Sequence, residues 1–187
     1  AEDTAISINA LSNDSYQTSL PLTLTASGQS SGSVSVANNV ITYSPNANFN
    51  GSDTIQYTIT QGASSSSSNI SVTISSVNDS PVINSASSLN VNNATTSVGT
   101  ISVSDVDGDT LTLTVGGTDA ASFSLSSSNI LTFNAAPDYE TKNSYTITLS
   151  LSDGTVTVTK DITVLIIRPR VIGYEVVTSI DVIDTKE

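Results

Sequence analysis

Tyr57-Thr58-Ile59-Thr60 returns as Tyr145-Thr146-Ile147-Thr148, 88 residues on (145 − 57 = 88). Both tetrads lie in runs that alternate apolar and polar residues, the pattern of a strand with one face toward a core. Two further matches keep nearly the same spacing. Leu22-Thr23-Leu24-Thr25 recurs as Leu111-Thr112-Leu113-Thr114 (111 − 22 = 89), and Ile41-Thr42-Tyr43 as Leu131-Thr132-Phe133 (131 − 41 = 90). Ser and Thr make up about a third of the chain, so chance explains one such match but not a register held three times. The spacing predicts two copies of one all-β unit.

Reading outward from the tetrads, Ala5 to Leu11, Leu20 to Thr25, Val34 to Val36, Val40 to Tyr43, Thr54 to Thr60 and Ile70 to Ile74 are expected strands. Gly28 to Gly32, Asn38-Asn39 and Gln61-Gly62 are expected turns, and the serine run 64–68 is expected to be a flexible hairpin loop. Val77-Asn78-Asp79-Ser80-Pro81 interrupts the alternation before a second series begins. Helical periodicity is absent. The sequence therefore predicts a first β-sandwich over 1–77, a linker over 78–81, a second sandwich over 82–167 and a tail over 168–187, each sandwich about the size of an immunoglobulin-like Greek-key domain.

Composition removes several functions. Seventeen acids against five bases give a formal charge of −12, which opposes binding to nucleic acid or to an anionic membrane surface. Cys, Met, Trp and His are all missing, so disulfides, thiolate metal sites and histidine acid–base chemistry are excluded. No apolar run approaches the roughly 18 residues that cross a bilayer. A Cys-free chain rich in Ser, Thr, Asn and Asp fits a secreted protein, and the missing initial Met suggests a mature product or a fragment.

The densest set of hard oxygen donors is Asp105-Val106-Asp107-Gly108-Asp109. Calcium takes six to eight oxygens, and carboxylates crowded into one loop repel one another without a cation. Asp and Gly also favour turns for local hydrogen-bonding reasons, a competing explanation for the loop and for Asp153-Gly154.

With Pro137-Asp138-Tyr139-Glu140 and Ser152-Asp153-Gly154, this loop makes the second half resemble a bacterial cadherin-like domain. The first half resembles the related tandem repeats of large bacterial adhesins through Ala1-Glu2-Asp3-Thr4, Leu11-Ser12-Asn13-Asp14-Ser15, Asn46-Ala47-Asn48-Phe49-Asn50-Gly51 and Asp53. The resemblance implies calcium between successive repeats, bound by Asn78 and Asp79 of the linker, Asp105 and Asp107 of the loop and the late Asp153, with Asp109 able to extend the cluster. Glu2, Asp3, Asp138 and Glu140 are weaker candidates. The chain departs from the family pattern at Ser76 and Ser80 in the linker, at Asn93 in place of an early Glu, and at Asn48 and Asn50, which align with Asp138 and Glu140. These departures predict one good site and at most one poor one. At the second, Arg168 or Arg170 is an alternative neutraliser of Asp138 and Glu140.

The alternation from Ile172 through Val182 predicts a long strand over 171–182 that begins a further domain, folds back, or is donated to another subunit. The expected function is a non-enzymatic, calcium-stiffened module of an extracellular adhesin or surface fibre, with neighbouring repeats or subunits of the same protein as partners. The alternative is a carbohydrate- or protein-binding module. Against a sugar platform stand the absence of Trp and the reading of Tyr16, Tyr43 and Tyr57 as core or strand residues.

Overall fold

A computed structural model describes residues 1–168; the expected strand over 171–182 lies outside them. Two compact units divide the chain. The first is Ala1–Ser80 together with Asp105–Asp109, and the second is Pro81–Ser104 with the chain from Thr110 onward. Each is a β-sandwich, with no α-helix among the described residues.

The first unit contains β1 (Ile6–Ile8), β2 (Thr23–Ser27), β3 (Gly32–Ala37), β4 (Val40–Pro45), β5 (Gly51–Gln61) and β6 (Ser64–Ile74). One sheet has the order β1-β4-β3 and the other β2-β5-β6. Alternation puts Ile41, Tyr43, Ile55, Tyr57, Val72 and Ile74 into the core. The expected strand through Leu11 ends early, and Ala10–Asn13 forms a 3-10 turn that buries Ala10 and Leu11.

The serine run is not a loop. Ser64–Ser68 belongs to β6 and pairs with β5, Gln61 facing Ser64 and Tyr57 facing Ser68. Gly62, at φ +59°, supplies the tight connection. Composition alone suggested flexibility, but the β5 backbone offers these serines a complete ladder. The Thr58 and Ser67 hydroxyls also bond across it at 2.7 Å.

Further along β5, opposite Val72, lies a buried carboxylate. Asp53 is 5% exposed. Its Oδ1 accepts from the Ser30 and Thr54 backbone N–H groups at 3.1 and 2.8 Å and from the Ser30 hydroxyl at 3.2 Å. Its Oδ2 accepts from the Ser31 N–H and the Tyr43 hydroxyl, both at 2.9 Å. Burial alone would raise its pKa, but these donors outweigh burial and hold the carboxyl far below its usual range. Asp53 thereby pins the Gly28–Gly32 turn to β5.

The second unit contains β7 (Val82–Ile83), β8 (Ser88–Asn92), β9 (Ser97–Thr100), β10 (Val103–Ser104), β11 (Thr112–Gly116), β12 (Phe123–Leu125), β13 (Ile130–Phe133), β14 (Ser144–Ser152) and β15 (Thr157–Ile167). Its sheets run β12-β13-β9 and β11-β14-β15-β8, with a separate ladder of β10 and β7. β8 joins β15 in parallel. Leu131, Ile147, Leu149, Leu151, Ile162 and Val164 are fully buried. Phe133 packs against Phe123 at 4.3 Å and Tyr145 at 4.9 Å between ring centroids.

The two copies correspond, with one slip. Val36 faces Ile41 and Leu125 faces Leu131, which preserves the matched hairpin. In the long hairpin, Ile55 faces Ile70, and the equivalent pair is Ile147 facing Ile162, an offset of 92 on both strands (147 − 55 = 92; 162 − 70 = 92). The repeated Tyr-Thr-Ile-Thr tetrads, 88 apart, are therefore four residues out of structural register. An even slip leaves the same face inward, so the alternation hides it. Asp53 occupies the place of Tyr145 (145 − 53 = 92). A carboxylate bonded to Tyr43 in one copy corresponds to an aromatic ring packed on Phe133 in the other.

Candidate metal site

Glu2 begins the site. Its backbone N–H donates to the Ser75 carbonyl at 3.0 Å, which places it beside the end of β6. The side chain is 3% exposed, and its Oε1 accepts from the Val77 N–H at 2.5 Å. Its Oε2 is buried without a hydrogen-bond partner. A buried carboxylate oxygen left in this way is costly.

Asp79 and the Asp105–Asp109 loop complete the arrangement, all within the first unit. The Asp79 N–H donates to Asp107 Oδ2 at 2.7 Å. Asp105 Oδ1 accepts from the Asp107 N–H at 2.9 Å, and Gly108 at φ +77° turns the chain back. One carboxylate oxygen from each of Asp105, Asp107 and Asp109 lies within 4.8 Å of the others. Asp79 Oδ2 and Asp105 Oδ2 are buried without partners, as is Glu2 Oε2.

Burial, followed by the negative neighbours Asp107, Asp3, Glu2 and Asp105, pushes the Asp79 carboxyl above its ordinary pKa. Four acids and no base act on it. An all-carboxylate, hard-oxygen set of this kind suits a divalent cation of the calcium type. The local hydrogen bonds use Asp105 Oδ1 as a turn former, while its Oδ2 is left over.

The other expected ligands are placed as follows. Asn78 donates its amide to the Asp79 carbonyl at 2.8 Å. Asp3, at φ +56°, accepts from the Asn48 N–H at 2.9 Å. Asp153 is buried in the second unit, where its Oδ1 accepts from the Thr155 and Val156 N–H groups, both at 2.6 Å. That is the bonding of a turn former, and the resemblance alone assigns Asp153 to an ion.

Asp138 caps its own turn through the Glu140 N–H at 3.1 Å and the Thr141 hydroxyl at 2.8 Å. Glu140 pairs with Arg168, whose guanidinium also lies 5.3 Å from the Tyr139 ring centroid. In the second unit Asn93 matches Glu2: its N–H donates to the Ile167 carbonyl, as Glu2 donates to Ser75. Its side-chain oxygen accepts from the Tyr139 N–H at 2.8 Å. This pole thus has an amide in place of the buried acid and an arginine beside its Glu.

Tandem β-sandwiches, one carrying an acidic cluster at the end of its last strand, define a class of modular all-β proteins. The bacterial Ig domain model matches residues 1–75 and again 78–165, and the chain belongs to that family. No curated protein matches the sequence. Among solved structures, the chain is similar to human mucin-like protocadherin EC1-2, at 17% identity and a TM-score of 0.51, over 79% of this chain and 85% of that one. It is also similar to the protocadherin gammaB7 EC3-6 cis-dimer structure, at 19% identity and a TM-score of 0.51, over 79% of this chain and 40% of that one. These likenesses concern the fold. The chain spans 44% of the human protocadherin-24 EC1-2 structure and 24% of an endo-fucoidan hydrolase from glycoside hydrolase family 107.

Proposed function

We propose that the chain is a non-enzymatic, calcium-stiffened tandem module of an extracellular surface protein. The observation that supports this most is the set of three buried, unpartnered carboxylate oxygens on Glu2, Asp79 and Asp105, beside the converging carboxylates of Asp107 and Asp109. Calcium would replace the missing partners and cancel the mutual repulsion. Glu2 and Asp79 belong to the chain of the first sandwich, whereas the Asp105–Asp109 loop lies in sequence between β10 and β11. An ion gripped by both segments would restrain the connection between the repeats, and its loss would release it.

Bacterial Ig domains are typical of extracellular surface proteins, which supports that location. Catalysis is disfavoured by the missing His and Cys and by the structural duties of Asp53 and Asp138. The test combines calorimetric calcium titration with small-angle scattering in calcium and in chelator. Saturable binding and a narrower distribution of dimensions in calcium are expected. No binding heat together with superimposable profiles would sink the reading.

A further inference from the structure

The opposite end of the first sandwich carries a different surface. β5 runs from Gly51 to Gln61, about 33 Å at strand rise. Its Gly51 end, facing Ile74, is the end of the acidic cluster. Its Gln61 end supports the segment from Asp14 to Leu20. There the Gln17 N–H donates to Gln61 Oε1 at 3.0 Å, and Gln61 Nε2 donates to the carbonyls of Gln17 at 2.8 Å and Leu20 at 3.3 Å. The buried Tyr57 donates its hydroxyl to Asp14 Oδ2 at 3.0 Å.

This double clamp holds Tyr16 outward, at 43% exposure. The other first-unit tyrosines, Tyr43 and Tyr57, are in the core, so the sequence-based reading of Tyr16 as a core or strand residue is corrected. Tyr16 borders three adjoining depressions, the largest of roughly 690 Å³ and also lined by Asn9, Ser12, Asp14, Asn38 and Asn39. Asn38 and Asn39 stand at φ +51° and +60° in the tight turn between β3 and β4.

We propose that this cleft is a binding site for neutral saccharides. An exposed tyrosine offers a rigid, amphipathic face at little conformational cost. Around it, amides, hydroxyls and one positioned carboxylate supply both donors and acceptors, the complement of a pyranose with one apolar face and a rim of hydroxyls. Asp14 and the net charge of −12 select against sulfated or carboxylated sugars. The acidic cluster lies at the other end of β5, so sugar binding here does not depend on calcium.

Saturation-transfer difference NMR of the full chain with neutral gluco-, manno-, galacto- and N-acetylglucosamine trisaccharides tests this, followed by titration of labelled protein. Saturable transfer from at least one sugar is expected, with shift changes centred on Asp14–Gln17 and Asn38–Asn39 and unchanged in EDTA. Tyr16→Ala weakens binding at least tenfold at an unaltered melting temperature. Asn38→Gly with Asn39→Gly keeps the turn, because glycine accepts the same backbone, and weakens binding severalfold. No saturable transfer from any sugar, shifts centred elsewhere, loss of binding in EDTA, preference for an unstructured peptide, or full affinity in Tyr16→Ala would each overturn the assignment.

Discussion

The Asp79 backbone N–H donates to Asp107 Oδ2 at 2.7 Å, holding the segment beyond β6 against an acidic loop 28 residues further along. This hydrogen bond uses one oxygen of Asp107 and places the Asp79 side chain among four other acids. Like charges gathered without a base repel one another, and a bound cation would relieve that repulsion.

Asp107→Asn keeps an oxygen to accept from Asp79 but removes one negative charge. Affinity for calcium follows ligand charge, so binding by calorimetry or terbium luminescence weakens at least tenfold. The circular dichroism spectrum stays unchanged.

Glu2→Gln separates binding from folding. The amide oxygen still accepts from Val77, and the buried, unpartnered negative oxygen is gone. In chelator the variant melts higher than the parent. In calcium its gain is smaller than the parent's, for which saturation at a hundredfold over Kd is worth about 2.7 kcal/mol.

Tyr43 and Asp53 tie the stability of the first unit to pH. The Asp53 carboxyl is held far below its unfolded value of about 3.9, so its stabilisation is present above that pH and is lost progressively as pH falls below it. Burial, then the bond and charge of Asp53, push the Tyr43 hydroxyl up to about 12. Its stabilisation is complete below about pH 10, the unfolded value, and is lost as pH rises through about 12. Tyr43→Phe removes the Tyr43 part of the alkaline loss, leaving that of Tyr57, whose hydroxyl is also pushed up by burial and Asp14, and takes one donor from Asp53, costing roughly 1–2 kcal/mol at neutral pH. Urea denaturation from about pH 2 to about pH 12 is the measurement.

Leu149 is fully buried in the second unit. Leu149→Ala costs about 2–5 kcal/mol. In amide hydrogen exchange, protection falls in β14 and β15, while the Asp53-centred network in the first unit retains its protection.

Arg168 and Glu140 form an ion pair with both side chains 63% exposed. An exposed pair contributes at most about 1 kcal/mol. Arg168→Ala shifts the melting temperature by no more than a few degrees, and Glu140→Gln leaves calcium affinity unchanged, because Glu140 is outside the first unit's acidic cluster.

Local alternation and a spacing of 88 to 90 residues were enough to determine two all-β sandwiches, since strand period and turn chemistry are properties of neighbouring residues. The Asp105–Asp109 loop was legible for the same reason. Four things required the tertiary structure. Ser64–Ser68 became strand because a partner strand was available, and the long hairpins matched at 92 because an even slip does not alter sequence parity. Tyr16 faced outward because Gln61 and Tyr57 clamp its loop, which no local pattern encodes. Glu2 was a minor candidate by sequence. Only the closing of the chain end onto Ser75 and Val77 buried it with an oxygen unpaired, because desolvation depends on what folds over a group and not on its neighbours in the chain.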